Sequence, residues 1–323
     1  EGDNTFSAVN AAGKAQSVAN TDILAAGTGS NTYTMGTFTV GSTGTTMNLS
    51  SGANTINVGS IVSKGTLGMT IVAGSSTETQ TLNISGSATR LTYQGGSGAD
   101  NITVNGKLGY STIDLGEGDN SLTATAAKSA SVNTNITATG SGANTINMYG
   151  LSTSRGSSSL TLGSGDDNVN FTGSLSGLTT VDLGGGANNT FAANALSSTG
   201  TTTGTTIKSS GGGTFSVNGA AKAVFDFAGG TDSVSLSSAK DLTGALVNLG
   251  GGSTTISAGT NANANIVSTT INGESGALTI NAANLKSSKV DMTINDSSAA
   301  GLNLNLSGAL DNSKLILGSG GST

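Results

Sequence analysis

The sequence predicts an all-β chain, a single parallel β-solenoid (β-helix) over residues 1–323 with about 14 coils of roughly 22 residues each. Three observations predict it. A turn signature, Gly-x-Asn/Asp-x-apolar, returns along the whole chain. Short runs of alternating apolar and polar residues accompany it, the period of a half-buried strand. Proline is absent from a 323-residue chain that holds 51 glycines, so every backbone N–H is available to a strand ladder.

In order, the clear signatures are Gly2-Asp3-Asn4-Thr5-Phe6, Gly29-Ser30-Asn31-Thr32-Tyr33, Gly52-Ala53-Asn54-Thr55-Ile56 and Gly98-Ala99-Asp100-Asn101-Ile102. They continue as Gly142-Ala143-Asn144-Thr145-Ile146, Gly165-Asp166-Asp167-Asn168-Val169 and Gly230-Thr231-Asp232-Ser233-Val234. Weaker copies place an apolar anchor at Leu82, Leu122, Phe191, Phe215, Ile256, Leu278 and Leu302. Each anchor lies in a strand-like run such as Thr55-Ile56-Asn57-Val58 or Asn101-Ile102-Thr103-Val104. A second run follows about half a period later, as in Thr112-Ile113-Asp114-Leu115 and Thr180-Val181-Asp182-Leu183. Two strands and two turns then make one coil. The inward Ile, Leu, Val and Phe fill a thin core, and glycine is expected at positive-φ corners. An antiparallel sandwich is the competing all-β fold, but it has no reason to repeat its turn chemistry at a fixed period.

Composition narrows the function. The formal charge is -6, only 9% of residues are charged and 3% aromatic, and there is no Cys, His or Trp. Without Cys or His no conventional triad, thiol nucleophile or zinc site can be built. An acidic chain without a basic, aromatic-studded stripe is not expected to bind nucleic acid. No apolar run is long enough for membrane insertion by a helix. The chain is therefore not expected to be an enzyme. Asp182 and Asp226 are the carboxylates a polysaccharide-cleaving β-helix would use. Asn-x-Ser/Thr triplets at Asn83, Asn101 and Asn135 are no more than this composition supplies.

Gly95-Gly96-Ser97-Gly98-Ala99-Asp100-Asn101-Ile102-Thr103 matches the nonapeptide Gly-Gly-x-Gly-x-Asp-x-apolar-x, and Gly163-Ser164-Gly165-Asp166-Asp167-Asn168-Val169 nearly matches it. Over residues 95–191 the chain resembles repeats-in-toxin (RTX) proteins, a secreted group that includes adhesins and bacterial surface-layer proteins. The resemblance implies calcium, with Asp100, Glu117, Asp119, Asp166 and Asp167 as its candidate ligands.

The departures matter. Repeats-in-toxin coils are shorter and carry the nonapeptide in each half, whereas here one edge of the coil carries it. The aspartate position holds Asn4, Asn31, Asn54, Asn120, Asn144 and Asn188, and later becomes Gly213, Thr254 and Gly276. A calcium ion needs six to eight oxygens and several carboxylates. The Asn-rich column as a whole therefore reads as a structural ladder of stacked amides that requires no cofactor. Calcium stays open near Asp100, Glu117 and Asp119, and near Asp166 and Asp167.

Two surface patterns remain. Lys64, Lys107, Lys128, Arg155, Lys222, Lys240 and Lys286 fall about half a coil after their turn glycine, opposite the acidic edge. They read as a solvated edge that discourages lateral pairing, or else as a basic edge that meets a neighbour's acidic one. Thr55 with Asn57, Thr145 with Asn147 and Asn168 with Asn170 form polar columns that faintly resemble the water-ordering strip of ice-binding solenoids. Uneven coil lengths count against that reading.

The chain opens within a signature at Glu1 and closes on Leu317-Gly318-Ser319-Gly320-Gly321, which begins another. Two expectations follow: a piece cut from a longer solenoid, or outer coils that pair with other copies. The function expected is a secreted, cell-surface structural protein, a self-assembling subunit of a bacterial surface layer or filament. The alternative is the shaft of a secreted adhesin. Expected partners are further copies of the chain and cell-surface polysaccharide.

Overall fold

The computed structural model describes residues 2–74, 76–125, 128–154, 156–197, 204–236, 240–259, 263–288 and 291–319. Glu1, Arg155, Gly320 and Gly321, named above, lie outside them. The described residues contain strands and turns but no helix, so no helix is long and apolar enough to cross a membrane. Parallel strands form a β-solenoid of about 13 turns, with equivalent strands roughly 23 residues apart. By contacts the chain divides into two compact units, Glu1–Gly163 and Ser164–Thr323.

In the first unit one ladder stacks Asn4–Ser7, Asn31–Val40, Thr55–Ser63, Gln80–Ile84, Asp100–Val104, Ser121–Ala124 and Thr145–Met148. Another stacks Ile23–Leu24, Thr45–Asn48, Met69–Val72, Leu91–Gln94, Thr112–Asp114, Asn135–Thr137 and Ser158–Thr161. Short segments such as Ala88–Thr89, Leu108–Gly109 and Ser131–Val132 stack between them, so these coils carry three strands rather than the two expected. Two residues are too few to show an alternation, which is why the sequence hides this third segment. In Asn31–Val40 and Thr55–Ser63 the first and middle segments run on as one strand.

Burial follows the alternation. Tyr33, Ile56, Leu82, Ile102, Leu122 and Ile146 are all buried, one per successive coil. Each contributes roughly 1.5–3 kcal/mol of hydrophobic stabilisation. Their register is direct: Tyr33 opposes Ile56, Ile56 opposes Leu82, and Leu82 opposes Ile102.

The second unit repeats the plan. Asn168–Ser176, Asn189–Ser197, Gly213–Val217, Asp232–Leu236, Thr254–Ser257, Leu278–Ala282 and Leu302–Leu306 form one ladder. Its early coils have an aromatic core, where Phe171, Phe191, Phe215, Phe225 and Phe227 are fully buried. Ring centroids lie 6.1 Å apart for Phe171 and Phe191, 6.5 Å for Phe191 and Phe215, and 4.3 Å for Phe215 and Phe227. Later coils return to aliphatic anchors at Val234, Ile256 and Ile280.

Glycine takes positive-φ corners as expected, at Gly116, Gly118 and Gly230 among others, and plays a second part as well. Several positive-φ corners belong to other residues, among them Asn20, Arg90, Tyr110, Lys128, Asn133 and Lys222. The signature glycines are needed mainly for close stacking. A Cβ on Gly142 would run into the carbonyl oxygen of Gly118 one coil below, and a Cβ on Gly252 into that of Gly230. Coils about 4.8 Å apart leave no room for a side chain pointing along the stack.

Candidate functional site: the interior amide column

Two residues before each core anchor, one residue per coil faces inward, polar throughout the first unit and at Asp167, Asn189, Asp232 and Thr254 of the second. In the first unit the column runs Asn4, Asn31, Asn54, Gln80, Asp100, Asn120, Asn144, and from Asn31 onward every member is at most 2% exposed. In the second it runs Asp167, Asn189, Gly213, Asp232, Thr254, Leu278, Leu302. Two expected members are corrected here. Asn188 is exposed and donates through Nδ2 to Asp166 Oδ2 at 2.8 Å, while buried Asn189 occupies the column. Gly276 precedes the column position, which Leu278 fills. Asn189 stands two residues before Phe191, the spacing of every other member to its anchor, and that spacing was the available signal.

The column is a hydrogen-bonded ladder. Asn4 Nδ2 donates to Asn31 Oδ1 at 2.9 Å, Asn31 Nδ2 to Asn54 Oδ1 at 2.9 Å, and Asn54 Nδ2 to Gln80 Oε1 at 2.9 Å. Asn120 Nδ2 donates to Asn144 Oδ1, again at 2.9 Å. Asparagine oxygens of the column also take backbone donors: Asn4 N–H reaches Asn31 Oδ1, Asp100 N–H reaches Asn120 Oδ1, and Asp167 N–H reaches Asn189 Oδ1. Each amide also donates into its own turn, as Asn54 does to the carbonyls of Ser50 and Gly52. A buried amide is tolerable only when its donors and acceptor are all used, and here the next coil uses them.

Replacing Asn54 with alanine leaves the backbone N–H of Asn31 without its acceptor and Gln80 Oε1 without its donor. The expected cost is about 2–4 kcal/mol in urea unfolding, with the slope of the transition unchanged.

The proposed calcium carboxylates do not converge. Asp100 and Asp167 are buried at 0% and 1% exposure, whereas Glu117, Asp119 and Asp166 face solvent. Asp119 Oδ1 accepts the N–H of Ala143 at 2.8 Å, and Asp166 Oδ1 accepts that of Asn188 at 2.9 Å. Asp3 does the same for Ser30, so these exposed aspartates tie one coil to the next. The Asn188 side chain and backbone hold Asp166 below the ordinary carboxylate range. Among the described residues no group of three or more Asp, Glu, His or Cys is placed to hold a metal ion.

The other surface features are regular and shallow. Lys208 and Asp226 pair at 3.9 Å on the outer face of the second unit, each side chain 45% exposed, and Asp182 lies one step further in the same register. Asp226 also accepts from Asn248 Nδ2, which continues through Asn272 and Asn295 as a surface ladder. The lysines do not form one column: Lys222 follows the pair Ala221 and Thr243, while Lys286 lies between Val267 and Asp311. In the polar strip Asn83 Nδ2 donates to Asn57 Oδ1 at 2.9 Å, so these amides satisfy one another.

Sequence reasoning missed Gln80, Asp232 and Tyr93. Gln80 occupies the column as a longer amide, Asp232 was read only as part of a turn, and Tyr93 approaches Asp100 from the opposite ladder. No protein-family model matches the chain, and no curated protein or solved structure is detectably similar to it.

Proposed function

We propose that the chain is an extracellular structural protein, a self-assembling subunit of a bacterial surface layer or surface filament, whose copies stack coil on coil. One observation carries this reading. On the strands Leu302–Leu306, Leu310–Asp311 and Ser313–Leu317, residues at core positions are left uncovered. Leu310 is 50% exposed opposite fully buried Leu285, and Leu317 is 48% exposed opposite Asp296 at 1%. Leu304 and Leu306 are half-buried opposite Ile280 and Ala282, both 0% exposed.

Another coil in the same register fits such a face, supplying strand partners and an apolar lid together, and the proposal takes that coil from a further copy of the chain. Asn4–Ser7 offers one: Phe6 is 38% exposed opposite Tyr33 at 4%. The contact joins unlike faces and so repeats without closing. The absence of His and Cys and the shallow, hydrogen-bonded faces support assembly rather than chemistry as the role.

Electron microscopy of the concentrated protein tests the reading. Filaments or sheets are expected, and Leu306→Lys, which charges the exposed face, should leave only monomers. A wild-type protein that stays monomeric by sedimentation at every concentration would overturn it. Calcium is tested separately by melting with and without a chelator. A structural ion would raise Tm on binding, so an unchanged Tm removes calcium from the proposal.

A further inference from the structure

Asp100 departs from the hydrogen-bonded amides that stand on either side of it in the interior column. Its side chain is fully buried, and neither Oδ1 nor Oδ2 has a hydrogen-bond partner. The hydroxyl of Tyr93, which approaches it from the strand Leu91–Gln94, is buried and unpartnered as well.

The neighbours in the column turn their donors away. Gln80 Nε2 donates to Gly52 O, Ser76 Oγ and Glu78 O, and Asn120 Nδ2 donates to Asn144 Oδ1 and to the carbonyls of Glu117 and Gly118. The backbone N–H of Gln80 goes to the carbonyl of Ala99 at 3.1 Å, although in asparagine coils the corresponding N–H goes to the side-chain oxygen. Burial raises the carboxyl by more than its nearest donors, the Tyr93 hydroxyl and the backbone N–H groups of Gly96 and Gln80, lower it, and the charged groups around it do not help the anion. Asp114, on Thr112–Asp114, is acidic, Tyr93 is a phenol, and the coils on either side present the uncharged amides Gln80 and Asn120.

We infer that Asp100 is a proton-binding site, held in the folded chain as a neutral carboxylic acid that shares its hydrogen with Tyr93 and substitutes for the missing asparagine amide. The acid has the shape of asparagine and, once protonated, one donor to give. Asp232 is a second, independent case: it occupies the column at 3% exposure, its Oδ1 has no partner, and its neighbours are Gly213, which has no side chain, and Thr254. Burial raises both carboxyls, chiefly by desolvation, from 3.8 to about 7. Burial, and then the neighbouring Asp100, raise the Tyr93 phenol, so it remains protonated.

The sign of the pH effect follows. Below 3.8 both folded and unfolded chains hold the proton and the full stabilisation is present. Between 3.8 and about 7 only the folded chain holds it, so stability falls as pH rises through that window and levels off above it.

Thermal melts from pH 4 to 9, with chelator throughout, compare wild type with Asp100→Asn, Asp232→Asn and the double variant. Wild-type Tm is expected to fall by about 3–5 °C per pH unit within the window. Each single variant should lose part of the slope and the double variant nearly all of it, with Tm at pH 8 above wild type. A slope unchanged in the double variant would overturn the inference. So would a wild type whose Tm at pH 8 rises with added calcium and falls with chelator, since that places a metal ion on an anionic Asp100. Infrared difference spectra give a direct readout. A protonated-carboxyl carbonyl band at pH 5, absent from the double variant, is expected, and its absence from the wild type would also overturn the assignment. Filament formation plays no part in these outcomes, so the inference and the proposed assembly stand or fall separately.

Discussion

Gly142→Ala is expected to destabilise the first unit by about 3 kcal/mol or more, a large loss for the addition of one methyl group. The new Cβ would lie against the carbonyl oxygen and carbon of Gly118. Those atoms belong to the backbone of the coil below, which is held in register by its own ladder and cannot turn aside as a side chain would. Relief requires the coils to separate locally, and that lengthens the hydrogen bonds between Ser121–Ala124 and Thr145–Met148. Gly109→Ala is the control. It also lies in a strand, but a Cβ there meets nothing within 4 Å, so a change within about 0.5 kcal/mol is expected. Urea unfolding followed by circular dichroism measures both, and equal losses would show that close stacking is not what the signature glycine provides.

Phe215→Ala should cost the second unit about 3–5 kcal/mol, the range for emptying a buried aromatic site. Phe215 is fully buried, with Phe191 on one side and Phe227 4.3 Å away on the other. The ring also fills space near Gly213, where the interior column has no side chain. Truncation therefore empties a volume that the two neighbouring rings and the rigid ladder cannot close. Phe215→Leu keeps most of that volume and should recover more than half of the loss. A cost below about 1 kcal/mol for the alanine variant would mean that the coils collapse into the space, contrary to a stack with fixed spacing.

What could be read from sequence depended on how many residues carried each signal. The fold was legible because anchors such as Ile56, Leu82 and Ile102 recur in every coil and each lies beside polar residues. The third strand of a coil, Leu108–Gly109 for example, was not, because two residues display no period. The amide ladder was legible in Asn31, Asn54 and Asn144, where glycine and anchor bracket the asparagine. It was misread at Asn188 and Asn189, where adjacent asparagines make the register ambiguous unless the distance to Phe191 is counted. The aspartates were read from the nonapeptide motif, as candidate calcium ligands. The motif does not show that Asp100 points into the core while Asp119 points out, since one position along a strand reverses the face. The contact of Tyr93 with Asp100 joins two different ladders, and no local pattern predicts it.

The interior column also has a direction. Where the next coil offers an asparagine, the lower coil donates and the upper coil accepts, as from Asn4 to Asn31 and from Asn31 to Asn54. Within this column each asparagine coil of the first unit donates on one face and accepts on the other, while the outer ladder from Asn83 to Asn57 runs the opposite way. Two copies brought together by like faces would set donor against donor in one ladder and acceptor against acceptor in another, so stacking permits only one sense of travel. A polymer of this chain would be vectorial, with chemically different tips, and a single substitution could poison elongation at one tip while leaving the other competent.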